Sequence, residues 1–207
     1  VLKGWGGPNM LGSYEFERRQ IGDRNVGASR YATIGRRKWR SMYRPEIRDN
    51  TVEGKKAREV LANVADVEQR KTNEMIGAEL GYRYVHSPII CDIPGGPEHL
   101  FRVYEPTTWP GARLPHVWLN DGSAMQDRLP AFGYTILRLG NTKADTKPLA
   151  EAIAAYGAPV TTLDVPDEIA REIYGYDLLL IRPDMHVVWR GDDAPDAAEV
   201  AAIATGH

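Results

Sequence analysis

Gly133-Tyr134-Thr135-Ile136-Leu137-Arg138-Leu139 is an apolar run with the make-up of a buried strand. Ala144 to Tyr156 follows with helical character, and Pro159 to Val165 reads as a second strand. Pro166 to Tyr174 reads as a second helix. Asp177 to Ile181 (DLLLI) and His186 to Arg190 (HVVWR) flank a turn at Arg182-Pro183-Asp184-Met185 and predict a hairpin. Ala197 to Thr205 closes with a helix. The order β-α-β-α-β-β-α places this half of the chain in the α/β class.

That order resembles thioredoxin without thioredoxin's chemistry. A redox member needs two cysteines where the first strand meets its helix, because the helix N-terminus lowers a thiol's pKa. Here the junction is Gly140-Asn141-Thr142-Lys143, and the chain's single cysteine, Cys91, lies far upstream. The cis-proline that the resemblance implies before the hairpin is also missing from Tyr174-Gly175-Tyr176-Asp177. A thioredoxin-type oxidoreductase is therefore set aside.

The 207 residues suffice for one large or two small domains, and 43% hydrophobic content supports a packed core. One cysteine excludes a disulfide framework and a cysteine-rich zinc site. No apolar run approaches the ~20 residues of a membrane span, and no signal peptide is visible in Val-Leu-Lys-Gly-Trp-Gly-Gly. A reducing, cytoplasmic setting with no membrane partner is the default expectation. The net charge of −2 hides an asymmetry. Residues 1–60 carry 14 Lys+Arg against 7 Asp+Glu, and the remainder carries 12 against 21. Without aromatic-rich recognition motifs, the basic front half is read as a solvated or protein-facing surface and not as a nucleic-acid site.

Val1-Leu2-Lys3-Gly4 looks like the end of a helix stopped by glycine, so the chain is expected to begin inside a larger protein. Ser13 is the expected N-cap of a helix from Tyr14 to about Arg40, with Glu15 and Glu17 in its first turn and Pro45 beyond its end. Glu53 to Leu80 forms a second helical region, with Ala57, Val60, Leu61, Val64 and Val67 on one face. A bend or a solvated stretch is expected near the polar Gln69 to Glu74, and a stop at Gly81. Tyr82 to Pro88 and Phe101 to Tyr104 read as short strands, Cys91 to His99 as a loop, and Pro106 to Pro115 as a linker.

Few residues suggest chemistry. Glu17-Arg18-Arg19 has the elements of an anion clamp, but a structural ion pair between this helix and a neighbouring domain is favoured. The five histidines (His86, His99, His116, His186, His207) lack ligand spacing, so no metal is expected. His116 and His186, at the starts of apolar runs, should be hydrogen-bonded structural groups. Ser123 after Asp-Gly belongs to a turn. Cys91 beside Asp92 should be a poor thiolate and non-catalytic. Trp109, Trp118, Trp189 and Tyr134 are expected to pack and not to line a pocket.

Three stretches carry a wider resemblance. They are Gly4-Trp5-Gly6-Gly7-Pro8 with Leu11-Gly12-Ser13-Tyr14-Glu15-Phe16-Glu17-Arg18-Arg19, then Pro106 to Leu119 (PTTWPGARLPHVWL) with Asp121-Gly122, then Arg182 to Gly191 (RPDMHVVWRG). Together they resemble the C-terminal part of FAD-dependent aromatic monooxygenases of the phenol hydroxylase and 3-(3-hydroxyphenyl)propionate hydroxylase type. Gln20 departs from the proline that this family usually shows there.

The resemblance implies a parent oxidoreductase in which NAD(P)H reduces FAD and oxygen then hydroxylates a phenolic ring. The glycine-rich pyrophosphate turn and the Gly-Asp flavin motif have no counterpart here and are expected upstream of Val1. Residues 1–45 then correspond to the terminal helix of the flavin domain, 46–110 to a connecting region, and 111–207 to a thioredoxin-like domain. No catalytic, cofactor-binding or metal-binding residue is assigned within the chain. The isolated chain is expected to be an inactive scaffold and oligomerisation module, without bound FAD or NAD(P)H. Its partners would be the missing flavin domain and a second copy. The alternative is a stand-alone thioredoxin-like interaction module.

Overall fold

A computed structural model describes residues 1–207. The chain divides into two compact units. One comprises Val1–Gln20, Tyr82–Glu98 and Glu105–His207; the other comprises Ile21–Gly81 and His99–Tyr104. These boundaries cut across the 1–45, 46–110 and 111–207 division drawn from the sequence. Helix α1 (Asn9–Ser41) contributes to both units.

The larger unit carries the expected α/β order. It runs β1 (Tyr134–Leu139), α4 (Lys147–Ala155), β2 (Val160–Val165), α5 (Glu168–Tyr174), β3 (Leu178–Ile181), β4 (Val187–Gly191) and α6 (Ala197–Thr205). The sheet order is β2-β1-β3-β4, with β1 and β2 parallel and the other pairs antiparallel. Both faces are covered, so β1 is buried at every position but Arg138 and β3 is wholly aliphatic and buried. Leu137, Leu139, Leu179 and Ile181 meet Ala170 and Tyr174 of α5 on one face. Tyr134, Ile136 and Leu180 meet Leu149, Ile153, Val200, Ala201 and Ala204 on the other.

Local chemistry sets the ends. Asp167 caps α5 by accepting from Ala170 N–H at 3.0 Å, and Gly175 ends it at φ +81°. Helix α4 starts at Lys147 rather than Ala144. Thr142 and Asp145 hold the intervening turn through the N–H groups of Ala144 and Lys147, and Pro148 favours the first helical turn.

Three expectations need correction. Tyr82 to Pro88 forms only one isolated bridge, Arg83 with Ala112, and His86 takes a positive φ of 56° that breaks extension. Phe101 to Tyr104 is not a strand. Its Phe101 carbonyl accepts from Ala78 N–H of α3 (Ile76–Leu80) at 2.9 Å. Pro106 to Pro115 is no free linker. Gly111 N–H donates to the Val187 carbonyl, Val187 N–H to Ala112 and Leu114 N–H to Met185, which covers the β4 edge.

In the smaller unit, Pro45 to Arg48 forms a 3-10 turn, and Thr51 caps α2 (Val52–Asn73) by accepting from Gly54 N–H. The expected bend falls at Glu74 and Met75, where α2 gives way to α3. Ala57, Leu61 and Val64 are half-buried, but Val60 and Val67 are exposed, so the apolar face is narrower than the spacing suggests. The anchor that hydropathy hides is Glu68, buried and paired with Lys38 and Lys71 at 2.7 Å. Hydrogen bonds from both lysines hold its carboxyl below the ordinary range.

Ser13 is not an N-cap. Helix α1 begins at Asn9, and the buried Ser13 hydroxyl donates back to the Met10 carbonyl at 2.9 Å. What sets this start is the chain's other end. Gly7 N–H donates to the Thr205 carbonyl and Asn9 N–H to Gly206. A Cβ on Gly7 would lie 2.2 Å from the Gly206 oxygen. Gly7→Ala should therefore destabilise the protein by ~1–3 kcal/mol. The exposed helical Gly12, with open space around it, should stabilise by ~0.5–1 kcal/mol on change to alanine. Urea unfolding of both variants checks the contrast, and equal effects would refute it.

Candidate functional site

The densest buried polar cluster in the larger unit gathers around Arg182, directly after the wholly apolar β3. Arg182 donates from Nη1 to Glu17 Oε1 at 2.6 Å and from Nη2 to Glu17 Oε2 at 3.1 Å. Ser87 Oγ donates to the same Oε1 at 2.6 Å. Arg182 Nη2 also reaches Asp184 Oδ2 at 2.7 Å, and the guanidinium lies 5.4 Å over Tyr84. His186 stacks on Tyr84 at 4.5 Å, with its Nδ1 3.1 Å from the Asp184 carbonyl and its Nε2 enclosed without a partner. Burial alone would lower the Arg182 pKa, but the Glu17 hydrogen bond and two carboxylate charges raise it overall. Burial pushes the Tyr84 hydroxyl up to about 12.

This arrangement corrects the reading of Glu17-Arg18-Arg19. Glu17 turns inward while Arg18 and Arg19 stay exposed, so the three form no common clamp. The buried ion pair is real, but its partner Arg182 is 165 residues away in the same chain and not in another domain. The sequence reading took Arg182 to Met185 as a turn within a family stretch and gave its charges no role. The signal it passed over is a pair of charged residues placed immediately after four buried aliphatic ones.

The junction after β1 holds no thiol, and several of its donors are already used. Asn141 donates from its backbone N–H and from Nδ2 to Glu168 Oε1, and Thr142 Oγ1 donates to Asp177 Oδ2. Asp177 in turn pairs with Arg171 at 2.5 Å. Glu168 and Asp177 thus take up the hydrogen-bond donors of Asn141 and Thr142 at this turn. Cys91 packs against the α4–α6 face, where burial first and Glu199 second push its thiol up to about 12. The effect has the expected direction, but Asp92 is not its cause; Asp92 instead contacts His86 at 2.5 Å.

The remaining candidates are dispersed. His116 is exposed, lies outside any strand and pairs with Gln126 at 2.8 Å. His207 stacks on Tyr156. No group of three or more His, Cys, Asp or Glu is close enough to hold a metal. Ser123 sits in an Asx turn, its N–H and hydroxyl both donating to Asp121. Tyr134 packs edge-on against Trp5, Trp189 borders the α4–α6 face, and Trp118 is 64% exposed, so these rings line no common pocket. Gln20 lies within α1, and its carboxamide both donates to the Val85 carbonyl and accepts from Val85 N–H.

Comparison with known proteins gives this geometry a context. The family model described as aromatic-ring hydroxylase, C-terminal, matches residues 107–206. An FAD-dependent monooxygenase, apdD, from Emericella nidulans is 33% identical over 98% of this chain and 34% of its own length. A phenol 2-monooxygenase from a Pseudomonas species is 28% identical over 97% of this chain and 38% of its own length. The solved structure titled native and K252c-bound RebC-10x aligns with a TM-score of 0.87 at 26% identity, covering 99% of this chain and 39% of that one. The chain thus spans about a third of the length of the curated relatives it matches.

The Asp184 carboxyl carries a pH signature. Burial would raise its pKa, but hydrogen bonding to His186 and the Arg182 charge hold it below the ordinary range. A carboxyl depressed in the folded state contributes fully above its unfolded pKa of ~3.9, and the contribution fades as pH falls through the folded value. Asp184→Asn should therefore cost stability at pH 7 and lose less than the parent chain on acidification below about pH 4. Urea midpoints at pH 7 and pH 3 test this; identical acid losses would refute it.

Proposed function

This chain belongs to the aromatic-ring hydroxylase family through its C-terminal domain, and from that premise we propose that it is the C-terminal part of an FAD-dependent, NAD(P)H-using monooxygenase that hydroxylates phenolic rings. The observation that carries the reading is the near-complete alignment of this chain with an FAD-dependent monooxygenase about three times as long. Exposed Leu11, Tyr14, Phe16, Val26 and Ile34 along α1 support it, because apolar side chains so placed suit burial against further protein.

Flavin, when bound, supplies the oxygen-activating chemistry. The residues present do not fit its pyrophosphate. The one parallel β-α-β turn lacks a glycine-rich cradle, and its donors bind Glu168 and Asp177. In this reading the chain acts as a scaffold: it presents α1 to the flavin domain and supports association with a second copy. No helix is long and apolar enough to cross a membrane. A cytoplasmic, reducing setting accords with the single unpaired Cys91.

Two measurements test the reading. Purified chain mixed with FAD and desalted should lose the flavin band, whereas stoichiometric retention would overturn the scaffold role. The source gene should continue upstream through a G-x-G-x-x-G strand-turn-helix. A start codon directly before Val1 would favour a stand-alone interaction module instead.

A further inference from the structure

We propose that Arg190, with Trp109, Tyr176 and Thr108, forms a carboxylate-binding site at the end of β4. The Arg190 guanidinium lies 4.6 Å over the Trp109 ring and 4.6 Å over the Tyr176 ring. Its Nη1 donates to Thr108 Oγ1 at 3.3 Å, and Thr108 is itself fixed by donating to the Tyr174 carbonyl at 2.7 Å. The rings and Thr108 hold the fork in one orientation, so little side-chain freedom remains to be lost on binding.

What the cluster lacks is an acceptor. Arg190 Nε is enclosed with no hydrogen-bond partner, and the same is true of Trp109 Nε1 on the ring beneath it. Partly buried cations are ordinarily paired with carboxylates. Arg190 is partly buried, and burial lowers its pKa, with the Tyr176 hydroxyl as the one group opposing that shift. A second guanidinium, Arg83, lies 5.9 Å over Trp109, donates to the Gly95 carbonyl and feels the charge of Asp92. The site therefore presents positive charge at the Nη2 end of Arg190 and aromatic walls, above two enclosed N–H groups that no protein acceptor satisfies. A carboxylate meets that demand at Nη2, which has no hydrogen-bond partner and, unlike Nε, is not enclosed. The ligand is a free organic acid or an acidic side chain of another protein segment; the recognising chemistry is the same.

Titration of the 207-residue chain with sodium benzoate and with N-acetylglutamate amide, followed by the Trp109 indole N–H signal in NMR, tests the site. Trp109→Phe assigns that signal, and sodium chloride at equal ionic strength controls for screening. A saturable shift absent with chloride is expected, weakened about tenfold or more in Arg190→Gln and less in Arg190→Lys, which keeps the charge but loses the fork. Circular dichroism checks that both variants fold. Tighter binding of benzoate assigns the ligand to free organic acids, and tighter binding of the glutamate compound assigns it to a protein side chain. The proposal fails if neither carboxylate shifts the signal beyond chloride, or if folded Arg190→Gln and Arg190→Lys bind as the parent chain does.

Discussion

Arg182 stands where an apolar strand ends, and a cation there must be neutralised on the spot. Leu178 to Ile181 is buried throughout, so the guanidinium emerges from the core already stripped of much of its water. Glu17, only 4% exposed, meets it with both oxygens, and Ser87 occupies a further lone pair of the carboxylate. Such a pair adds little net stability over a well-packed apolar one, yet losing one partner costs ~3–5 kcal/mol. It acts as a registration device: the first half of α1, the Tyr84–Ser87 turn and the hairpin turn all meet at this one pair.

The rest of the larger unit follows from that fixed point. The Arg182–His186 turn sets the register of β3 and β4, and Pro106 to Pro115 then adds to the β4 edge. At the opposite sequence extreme, Gly7 and Asn9 satisfy carbonyls at the end of α6, so the Gly-Trp-Gly-Gly-Pro stretch closes the fold rather than forming a site. The shape survives without thioredoxin's reaction because the sheet depends on Leu137, Leu179 and Leu180, whereas the chemistry would depend on a junction that Asn141, Thr142, Glu168 and Asp177 have filled with their own hydrogen bonds.

The strands and helices of residues 133–205 were legible because burial on both sheet faces leaves long aliphatic runs; the start of α4 was not, because the turn that Thr142 and Asp145 hold before Pro148 is polar and short and reads as helix. Tyr82 to Pro88 was not, since an aromatic-rich stretch looks extended whether it pairs in a sheet or curls around His86 at positive φ. Pro106 to Pro115 misled for a related reason: prolines and glycine mark an irregular backbone but do not say whether it is buried. Glu17 was visible as a charged residue, but its partner lies 165 positions away, and no local periodicity encodes a contact of that separation. The family resemblance was legible in three long motifs, and flavin enters through the relatives, which are FAD-dependent monooxygenases, not through residue spacing.

The most direct measurement is a double-mutant cycle on Glu17→Gln and Arg182→Met by urea unfolding. If the pair registers the fold as described, each single variant loses ~3 kcal/mol or more, and the double variant loses little beyond either one. Losses that simply add, to within ~0.5 kcal/mol, would show that the two residues act independently and would contradict the account.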